Sequence, residues 1–484
     1  MKKFRIPSTV LKTKNRDSTI REVRSSLSEG SLTLPGLVDY YLSRIRENAH
    51  LNAFIEVFSE EALAAANVIQ EKIEQGTAGK LAGLVIGIKD NICYRDHRVA
   101  ASSRMLDGFV SVYSSTVVER LLQEDAIIIG RLNCDEFAMG ASNETSFYGP
   151  VLNAADTTRV PGGSSGGSAV AVQAGLCHAA LGTDTGGSVR QPAAFCGIVG
   201  LKPTYGRVSR KGVIAYASSF DQVGPLTRSV EDAALILEVI AGPDPGDSTS
   251  SPREVPAYSQ SLQQEGTRRI AYLKEALDSP GLDSGVRQCM EQQIARLRSE
   301  GHTVEGCDFP YLDYVVPTYY ILSMAEASSN LARYDGVHYG YRSPLADSLE
   351  STYKKSRTEG FGEEVKRRIM LGTFVLSAGY YEAYYSKAQK VRRLIRDALS
   401  GLLANYDFIL LPTTPTPAFR FGEKIDDPVV MYLGDIFTVQ ASLAGLPAIS
   451  IPAGNHPDGL PVGMQLIGRK FGEADLLSFA HRIF

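Results

Sequence analysis

Two glycine- and serine-rich segments lie near each other in the chain and could do nucleophilic chemistry. The first, P-G-G-S-S-G-G-S, covers residues 161–168, and the second, G-T-D-T-G-G-S-V-R, covers residues 182–190. Glycine permits positive φ and a close approach of the backbone to a ligand, and serine hydroxyls can act as nucleophiles. Residues 170–181 between them are apolar and alanine-rich, which is typical of a buried helix followed by a strand. We therefore predict two ordered loops around one small substrate.

Three known motifs could account for these or similar residues. Residues 163–167 match G-x-S-x-G, the nucleophile elbow of α/β-hydrolases, which needs a downstream histidine. A phosphate-binding loop would need G-K-[ST] at its end, and Ala169 follows Ser168 instead. Residues 351–354, S-T-Y-K, match the S-x-x-K of penicillin-recognising enzymes, but the companion K-T-G is absent and the segment is polar. The elbow leaves five histidines as candidates, none in a distinctive setting: His178, His302, His338, His456 and His481.

A serine hydrolase without a histidine needs another base, and a buried lysine is the physical alternative. Lys89 follows the apolar run L-V-I-G-I at residues 84–88, which reads as a strand. A lysine in that place is commonly a solvated edge residue, so the pattern alone does not make it a base. A neutral amine at pH 7 requires a pKa about three units below the usual ~10.4, which corresponds to roughly 4–5 kcal/mol. Burial and donated hydrogen bonds can supply that shift.

Helical and strand-like segments alternate along the chain. Apolar periodicity and capping residues predict helices over residues 34–45, 60–74, 229–240 and 284–299, with a further one inside 107–124. Short apolar runs predict strands over residues 84–88, 126–129, 178–182, 269–273, 408–411 and 448–452. This alternation predicts an α/β fold with a mainly parallel or mixed sheet. We expect a polar, flexible N-terminal arm over residues 1–30 and a single domain over residues 31–484.

Composition argues against several functional classes. A net charge of −4 and a pI near 6.1 provide no basic field for wrapping a nucleic acid. No apolar run reaches the ~18 residues of a membrane span. The 6 cysteines form no C-x-x-C pair and no zinc-ligand spacing, so we predict no metal site and a reducing, cytoplasmic location. The basic N-terminal segment leaves an organellar transit peptide, and hence an organellar matrix, as the alternative.

The motifs around Lys89 and the two serine-rich loops resemble the amidase signature family. The matching pieces are G-I-K-D-N-I at 87–92, P-G-G-S-S-G-G-S-A at 161–169 and D-T-G-G-S-V-R-Q-P-A-A at 184–194. The resemblance extends from about residue 35 to the end of the chain. It implies a central mixed β-sheet flanked by helices on both faces.

The same resemblance implies a catalytic relay. Lys89 would be the base, Ser164 the bridge and Ser188 the nucleophile that attacks an amide carbon. Ser164 would return the proton to the departing ammonia, and water would hydrolyse the acyl-enzyme by the reverse route. An oxyanion hole would be formed by the backbone N–H groups of Thr185, Gly186, Gly187 and Ser188. Supporting roles remain open for Ser165, Ser168, Asp184 and Arg190.

Further motifs resemble the glutamine-hydrolysing branch of that family, whose members work within three-subunit, tRNA-dependent amidotransferases. They are D-E-F-A-M-G at 135–140, K-P-T-Y-G-R-V-S-R at 202–210, S-S-F-D-Q-V-G-P-L-T at 218–227, E-A-S-S-N-L at 326–331, F-G-E-E-V-K-R-R-I-M-L-G-T at 361–373 and D-I-F-T at 435–438. In that branch Arg368 would bind the α-carboxylate of glutamine and Asp435 its α-ammonium, with Tyr319 lining the pocket.

The branch also implies partners. The B subunit would receive the ammonia and, with ATP and magnesium, amidate glutamate mischarged on tRNA(Gln), while the C subunit would tie the other two together. This chain would then carry no cofactor of its own, and most tRNA contacts would lie on the partner. The alternatives are a stand-alone amidase acting on small or fatty carboxamides and a scaffold subunit without activity.

Overall fold

A single mixed β-sheet runs through the computed structural model, which describes residues 18–263, 265–424 and 427–484. The strands are β1 (Phe54–Val57), β2 (Val85–Lys89), β3 (Ile127–Leu132), β4 (Ala179–Asp184), β5 (Val199–Lys202), β6 (Gln222–Thr227), β7 (Arg269–Leu273), β8 (Thr303–Cys307), β9 (Phe408–Pro412), β10 (Ala448–Asn455) and β11 (Pro461–Ile467). Their order is β1-β3-β2-β4-β6-β5-β10-β11-β9-β7-β8. Strands β3, β2 and β4 are mutually parallel, as are β9, β7 and β8, and the other neighbouring pairs are antiparallel.

Helices cover both faces of this sheet. They are α1 (Ile20–Ser28), α2 (Leu34–Glu47), α3 (Ser59–Glu74), α4 (Thr116–Gln123), α5 (Gly166–Gln173), α6 (Arg190–Cys196), α7 (Val230–Ile240), α8 (Lys274–Leu277), α9 (Ser284–Ser299), α10 (Leu312–Asn330), α11 (Leu349–Gly360), α12 (Glu363–Leu376), α13 (Lys387–Asn405), α14 (Pro428–Leu433), α15 (Val439–Ala444) and α16 (Glu473–Ile483). On β2, Ile86 and Ile88 belong to one hydrophobic cluster and Val85 to another. Because successive strand side chains point to opposite faces, the predicted mixed sheet with helices on both faces is confirmed.

The predicted flexible arm over residues 1–30 is corrected by helix α1 only within the part that the structure describes, residues 18–30. Residues 1–17 lie outside the described part of the chain. Thr19 and Glu22 form a capping box, and the helix buries Ile20, Val23 and Leu27. This apolar spacing of three and four residues marks one face of a helix, but only three apolar residues carry that signal. The backbone N–H of Ile20 donates to Asp232 Oδ1 at 2.9 Å, which ties the helix to α7.

The pairing of β2 with β4 brings the predicted site residues together. Both strands are buried on both faces, which is typical of central parallel strands. They end at Lys89 and Asp184, and the carboxyl ends of adjacent parallel strands meet at one edge of the sheet. The loop after β4 carries Ser188, and α5 begins directly after Ser165. Among the described residues, every helix is too short or too polar to span a bilayer.

Candidate active site

Lys89 is completely buried at the end of β2 and contacts three hydroxyl groups. Its Nζ is 2.7 Å from Ser164 Oγ, 3.0 Å from Ser165 Oγ and 3.0 Å from Thr183 Oγ1. In the described part of the chain, no carboxylate forms an ion pair with this amine. Burial therefore lowers the pKa of Lys89 to about 8, although electrostatic interactions with Cys134 and with buried aspartates raise it in part.

The hydrogen bonds around Lys89 leave its lone pair directed at Ser164 when the amine is neutral. Ser165 Oγ donates to the Thr183 carbonyl oxygen at 3.3 Å, so it must accept from Lys89. Thr183 Oγ1 accepts from Asn91 Nδ2 at 3.0 Å as well as from Lys89. A neutral amine that donates to Ser165 and Thr183 has used both N–H groups, and its lone pair then faces Ser164. In that state Lys89 can remove the proton of the Ser164 hydroxyl.

Ser164 and Ser188 lie on two loops that meet through their backbones. The Ser164 carbonyl oxygen accepts from Asp135 N at 3.1 Å, and the Ser188 carbonyl oxygen accepts from Ser165 N at 3.1 Å. The peptide bond before Ser164 is cis. The structure records no hydrogen bond from a described residue to Ser188 Oγ. Lys89 and Ser164 are thus in direct contact, whereas Ser188 lies next to Ser165 with its hydroxyl unpaired.

The loop that follows β4 presents the backbone N–H groups predicted for an oxyanion hole. No hydrogen bond from Thr185, Gly186, Gly187 or Ser188 N–H to another described residue is present. Thr185 Oγ1 donates to Asp221 Oδ1 at 2.6 Å, which anchors the start of the loop. A β-carbon on Gly186 would lie 2.5 Å from the Tyr319 hydroxyl oxygen, and one on Gly187 would clash with Thr438 Oγ1. Both glycines are therefore required by close packing.

Asp184 and Arg190 form a buried clamp at the two ends of that loop. Arg190 Nε and Nη2 donate to the two carboxylate oxygens of Asp184 at 2.9 and 2.8 Å. Burial disfavours the Asp184 carboxylate, but the guanidinium outweighs this and holds its pKa below the ordinary value. Arg190 Nη1 also donates to Gln465 Oε1 at 2.6 Å and to the Thr438 carbonyl oxygen at 2.8 Å. This fully hydrogen-bonded ion pair holds the loop in place, and Asp184 stays ionised instead of acting as a general acid or base.

The three residues predicted to bind glutamine surround the same site. Arg368 is 4% exposed and donates from Nε to Glu364 Oε1 and from Nη1 to Tyr216 Oη, both at 2.8 Å. Asp435 Oδ2 accepts from the Tyr320 hydroxyl at 2.6 Å. The Arg368 guanidinium carbon lies 5.3 Å from the centre of the Tyr320 ring. Tyr320 therefore stands between a cation and an anion, while Tyr319 packs on residues 185–188 after β4, here called the oxyanion loop.

Each of these two charged groups keeps one unused hydrogen-bonding atom. Among the described residues, Arg368 Nη2 and Asp435 Oδ1 have no hydrogen-bond partner, and neither atom is fully enclosed. Arg368 lines a cavity of about 230 Å³ with Glu136, Gly362 and Tyr432. Burial raises the pKa of Glu136 to about 7. Its carboxylate accepts from Gly362 N at 2.9 Å, which holds the start of α12 and hence the position of Arg368.

The competing motifs do not assemble a site. Four candidate histidines bond elsewhere: His178 to Asp232, His302 to Arg268, His338 to Asp335 and His456 to Asp283. His481 is exposed at the end of α16, and the structure records no bond from it to either loop serine. Lys354 pairs with Glu350 on an exposed helix turn. Within the described ranges, no group of three His, Cys, Asp or Glu side chains is placed to hold a metal.

Sequence reasoning missed three polar residues of the site, Asn91, Thr183 and Thr438. Each of them lies inside a motif that was singled out for another residue, namely G-I-K-D-N-I, G-T-D-T-G-G-S and D-I-F-T. Their positions in these motifs were the available signal. Their contacts could not be read from the sequence, because each side chain reaches a different segment of the chain.

Comparison with known proteins agrees with this geometry. Residues 36–477 match the family model described as Amidase. The A subunit of the glutamyl-tRNA(Gln) amidotransferase of Salinibacter ruber is 52% identical over 505 residues, covering 95% of this chain and 98% of that protein. The crystal structure of the protein of the same name from Thermotoga maritima matches with a TM-score of 0.77 and 41% identity, covering 96% of this chain and 94% of that one. The native peptide amidase of Stenotrophomonas maltophilia matches with a TM-score of 0.82 and 30% identity, covering 96% of each chain.

Proposed function

Because the chain belongs to the amidase family, we propose that it is the glutamine-hydrolysing subunit of a tRNA-dependent amidotransferase. It releases ammonia from the side-chain amide of glutamine, and a partner subunit uses that ammonia to convert Glu-tRNA(Gln) to Gln-tRNA(Gln) in an ATP-dependent ligase reaction. The proposal is supported by relatives of that name that match almost the whole chain. The observation that carries it is a buried Lys89 bonded to the hydroxyls of Ser164, Ser165 and Thr183, together with unpaired backbone N–H groups on the loop that starts two residues after Thr183.

The proposed reaction proceeds through an acyl-enzyme. Neutral Lys89 takes the proton of Ser164, and Ser164 takes the proton of Ser188 once a rotation of the Ser188 side chain brings the two hydroxyls together. Ser188 Oγ attacks the amide carbon, and the oxyanion accepts hydrogen bonds from the loop N–H groups. Ser164 protonates the leaving ammonia. Water then attacks the acyl-enzyme and returns its proton through the same relay, releasing glutamate.

Glutamine selection is assigned to the free atoms of Arg368 and Asp435. The α-carboxylate of the substrate binds Arg368 Nη2, and the α-ammonium binds Asp435 Oδ1. Glu364 already shares the Arg368 charge, so the cation is held in place before substrate arrives. Tyr319 lies against Gly186 and closes the pocket beside the scissile amide.

The partners in this proposal are the B and C subunits of a three-subunit complex. ATP and magnesium bind the B subunit, and most contacts with the mischarged tRNA are made there too. The mild negative charge of this chain agrees with that division. A role in translation implies a cytoplasmic location in this proposal. The alternative is an organellar matrix, because the basic N-terminal segment could be a transit peptide.

The test is glutamine hydrolysis by the purified chain, alone and with candidate B and C subunits, ATP and mischarged tRNA. We expect turnover that rises when the other components are added, because the acceptor of ammonia is then present. An absence of glutamine turnover under all of these conditions would overturn the proposal. The likeness to a peptide amidase keeps the stand-alone amidase as the second candidate, and broad turnover of simple amides by the isolated chain would favour it.

The pH profile should report the titration of Lys89. Its pKa is lowered to about 8, and only the neutral amine can act as a base, so kcat/KM for glutamine should rise with pH and level off above about 8. We expect roughly a tenfold increase for each pH unit well below that value. Steady-state kinetics from pH 6 to pH 8.5, where the α-ammonium of glutamine stays mostly protonated, would show the limb. A profile that is flat across this range would contradict a lysine base with this pKa.

Asp435 should contribute to binding and not to chemistry. Asp435→Asn removes the anion that pairs with the α-ammonium, so we expect KM for glutamine to rise about 100-fold, as for a lost buried charge pair, with a smaller change in kcat. Glutaramate, which is glutamine without the amino group, serves as the matched substrate. Wild type and variant should hydrolyse glutaramate equally well. A variant that loses activity on both substrates equally would contradict the assignment.

A further inference from the structure

Thr438 lies between the oxyanion loop and Asp435. Its Oγ1 is 2.5 Å from the Gly186 carbonyl oxygen and 3.1 Å from the Asp435 carbonyl oxygen. The residue is completely buried, and its own carbonyl oxygen accepts from Arg190 at 2.8 Å. A hydroxyl has one hydrogen to donate, and the shorter contact assigns that hydrogen to Gly186.

The Gly186 carbonyl sets the direction of the next N–H group. In a trans peptide the N–H of residue 187 points opposite to the C=O of residue 186. Gly187 has a φ of +144°, and two adjacent glycines offer little steric resistance to rotation of the peptide between them. A hydroxyl bonded to the carbonyl holds that peptide in one orientation. The Gly187 N–H is thereby directed away from Thr438, and it has no partner among the described residues.

We infer that Thr438 is a positioning residue for the oxyanion hole. By holding the Gly186 carbonyl, it aims the Gly187 N–H at the oxygen that becomes negative when Ser188 attacks. This inference rests on the amide hydrolysis proposed above. The backbone N–H of Thr438 also donates to the Asp435 carbonyl at 3.0 Å, so one turn of chain holds both the ammonium-binding carboxylate and the oxyanion donor. Binding and transition-state stabilisation are thus built on the same segment.

The first test replaces Thr438 with valine, which has nearly the same shape and no hydroxyl. We expect kcat for glutamine to fall about 10- to 100-fold, somewhat less than the loss of an oxyanion donor itself. KM should stay within about threefold, because the contact acts on charge that develops only in the transition state. Thr438→Ser keeps the hydroxyl and should recover kcat to within about fivefold of wild type.

A matched control separates this role from packing. Thr413 is also completely buried, and its Oγ1 lies 2.9 Å from Ser450 Oγ. Thr413→Val should lower the melting temperature about as much as Thr438→Val, since each loses one buried hydroxyl contact, and should keep kcat within about twofold of wild type. Equal losses of kcat in the two valine variants would overturn the inference.

The second test uses propylboronic acid, followed by ¹¹B NMR on the full chain. This acid forms a tetrahedral adduct on a serine hydroxyl, with a boron-bound oxygen where the oxyanion forms, and it needs neither Arg368 nor Asp435. We expect Thr438→Val to weaken the adduct about 10- to 100-fold. If wild type formed the adduct but did not hydrolyse glutamine, the proposed function would be overturned. The boronate affinity of Thr438→Val would still test the role of Thr438. The inference would be overturned if Thr438→Val bound the boronic acid as tightly as wild type, or if wild type formed no adduct. It would also be overturned if Thr438→Val changed only KM for glutamine, or if Thr438→Ser lost as much kcat as Thr438→Val.

Discussion

Ser188→Ala is expected to lower kcat for glutamine hydrolysis by about 10⁵- to 10⁶-fold, as the loss of the nucleophile does in serine hydrolases. The variant removes the only atom that bonds to the amide carbon, so no acyl-enzyme can form. The Ser188 hydroxyl has no hydrogen bond to a described residue, and the side chain is 8% exposed. The fold should therefore tolerate the change, and the melting temperature should move by only a few degrees.

Ammonia release from glutamine is the measurement, with Ser168→Ala as the matched control. Ser168 is a buried serine on α5 whose hydroxyl donates to the Leu181 carbonyl at 3.1 Å, so its loss removes a helix–strand contact. We expect that variant to keep kcat within about tenfold of wild type. In the assembled complex, Ser188→Ala should still support amidation when an ammonium salt replaces glutamine, because free ammonia bypasses the hydrolytic step. Residual glutamine turnover above about one-hundredth of wild type would show that another residue is the nucleophile.

Lys89→Met should reduce kcat/KM by about 10³- to 10⁵-fold, since the base that activates Ser188 through Ser164 is lost. Methionine fills nearly the same volume without a proton acceptor. The pH-dependent limb near pH 8 should disappear in this variant, since that limb reflects the titration of Lys89. Lys89→Ala should regain part of its activity when ethylamine is added, in proportion to the neutral amine present.

Lys202 offers a control of the same chemical type. It is also completely buried, and burial lowers its pKa to about 7. Its Nζ donates to the carbonyl oxygens of Leu446 and Pro203 at 2.6 and 3.0 Å, so it joins two segments and contacts no hydroxyl of the relay. Lys202→Met should lower the melting temperature and keep kcat within about tenfold of wild type. If Lys89→Met were no more impaired than Lys202→Met, Lys89 could not be the base.

Lys89 also links stability to pH. Its folded-state pKa lies below the value of an unfolded lysine, so between about pH 8 and pH 10.5 the unfolded chain binds more protons than the folded one. The contribution of Lys89 to the free energy of unfolding therefore rises with pH across that window. Below pH 8 the folded chain bears the full free-energy cost of burying the charged amine. Chemical denaturation of wild type and Lys89→Met at pH 7 and pH 9.5 gives the free energy of unfolding of each protein. The pH dependence of the difference between the two proteins isolates the Lys89 contribution, since the other groups titrate equally in both proteins.

Much of the fold could be predicted because its signals are local. The strand over Arg269–Leu273 and the helix over Ser284–Ser299 have the predicted bounds, and Ser229 caps α7 by accepting from Asp232 N. The membership in the amidase family and the mixed sheet are confirmed. The helix α1 was missed because only three apolar residues form its buried face, and these belong to hydrophobic clusters built mostly from distant segments.

The site could be predicted in part. The two serine-rich loops are separated by a single helix and strand, so their meeting follows from a short connection. Lys89 is 75 residues from Ser164, and it reaches that loop only because β2 pairs in parallel with β4. The environment of Arg368 could be predicted only in part. Its Glu364 partner lies one turn away on α12, whereas Tyr216 and Tyr320 come from the loop before β6 and from α10, which are far away in sequence.

By itself the sequence determined which reagents are available: two serines in glycine-rich loops and a lysine at the end of an apolar strand, while the cation and anion proposed to bind glutamine come from the family resemblance. Only the tertiary structure decided the state of those reagents. A pKa depends on how much water the folded chain excludes and on charges from distant segments. Lys89 is buried and lies near such charges only when β2 lies beside β4. The direction of an N–H group likewise depends on what holds the neighbouring carbonyl. For the Gly187 N–H, the Gly186 carbonyl is held by Thr438, which is 252 residues away from Gly186 in the sequence.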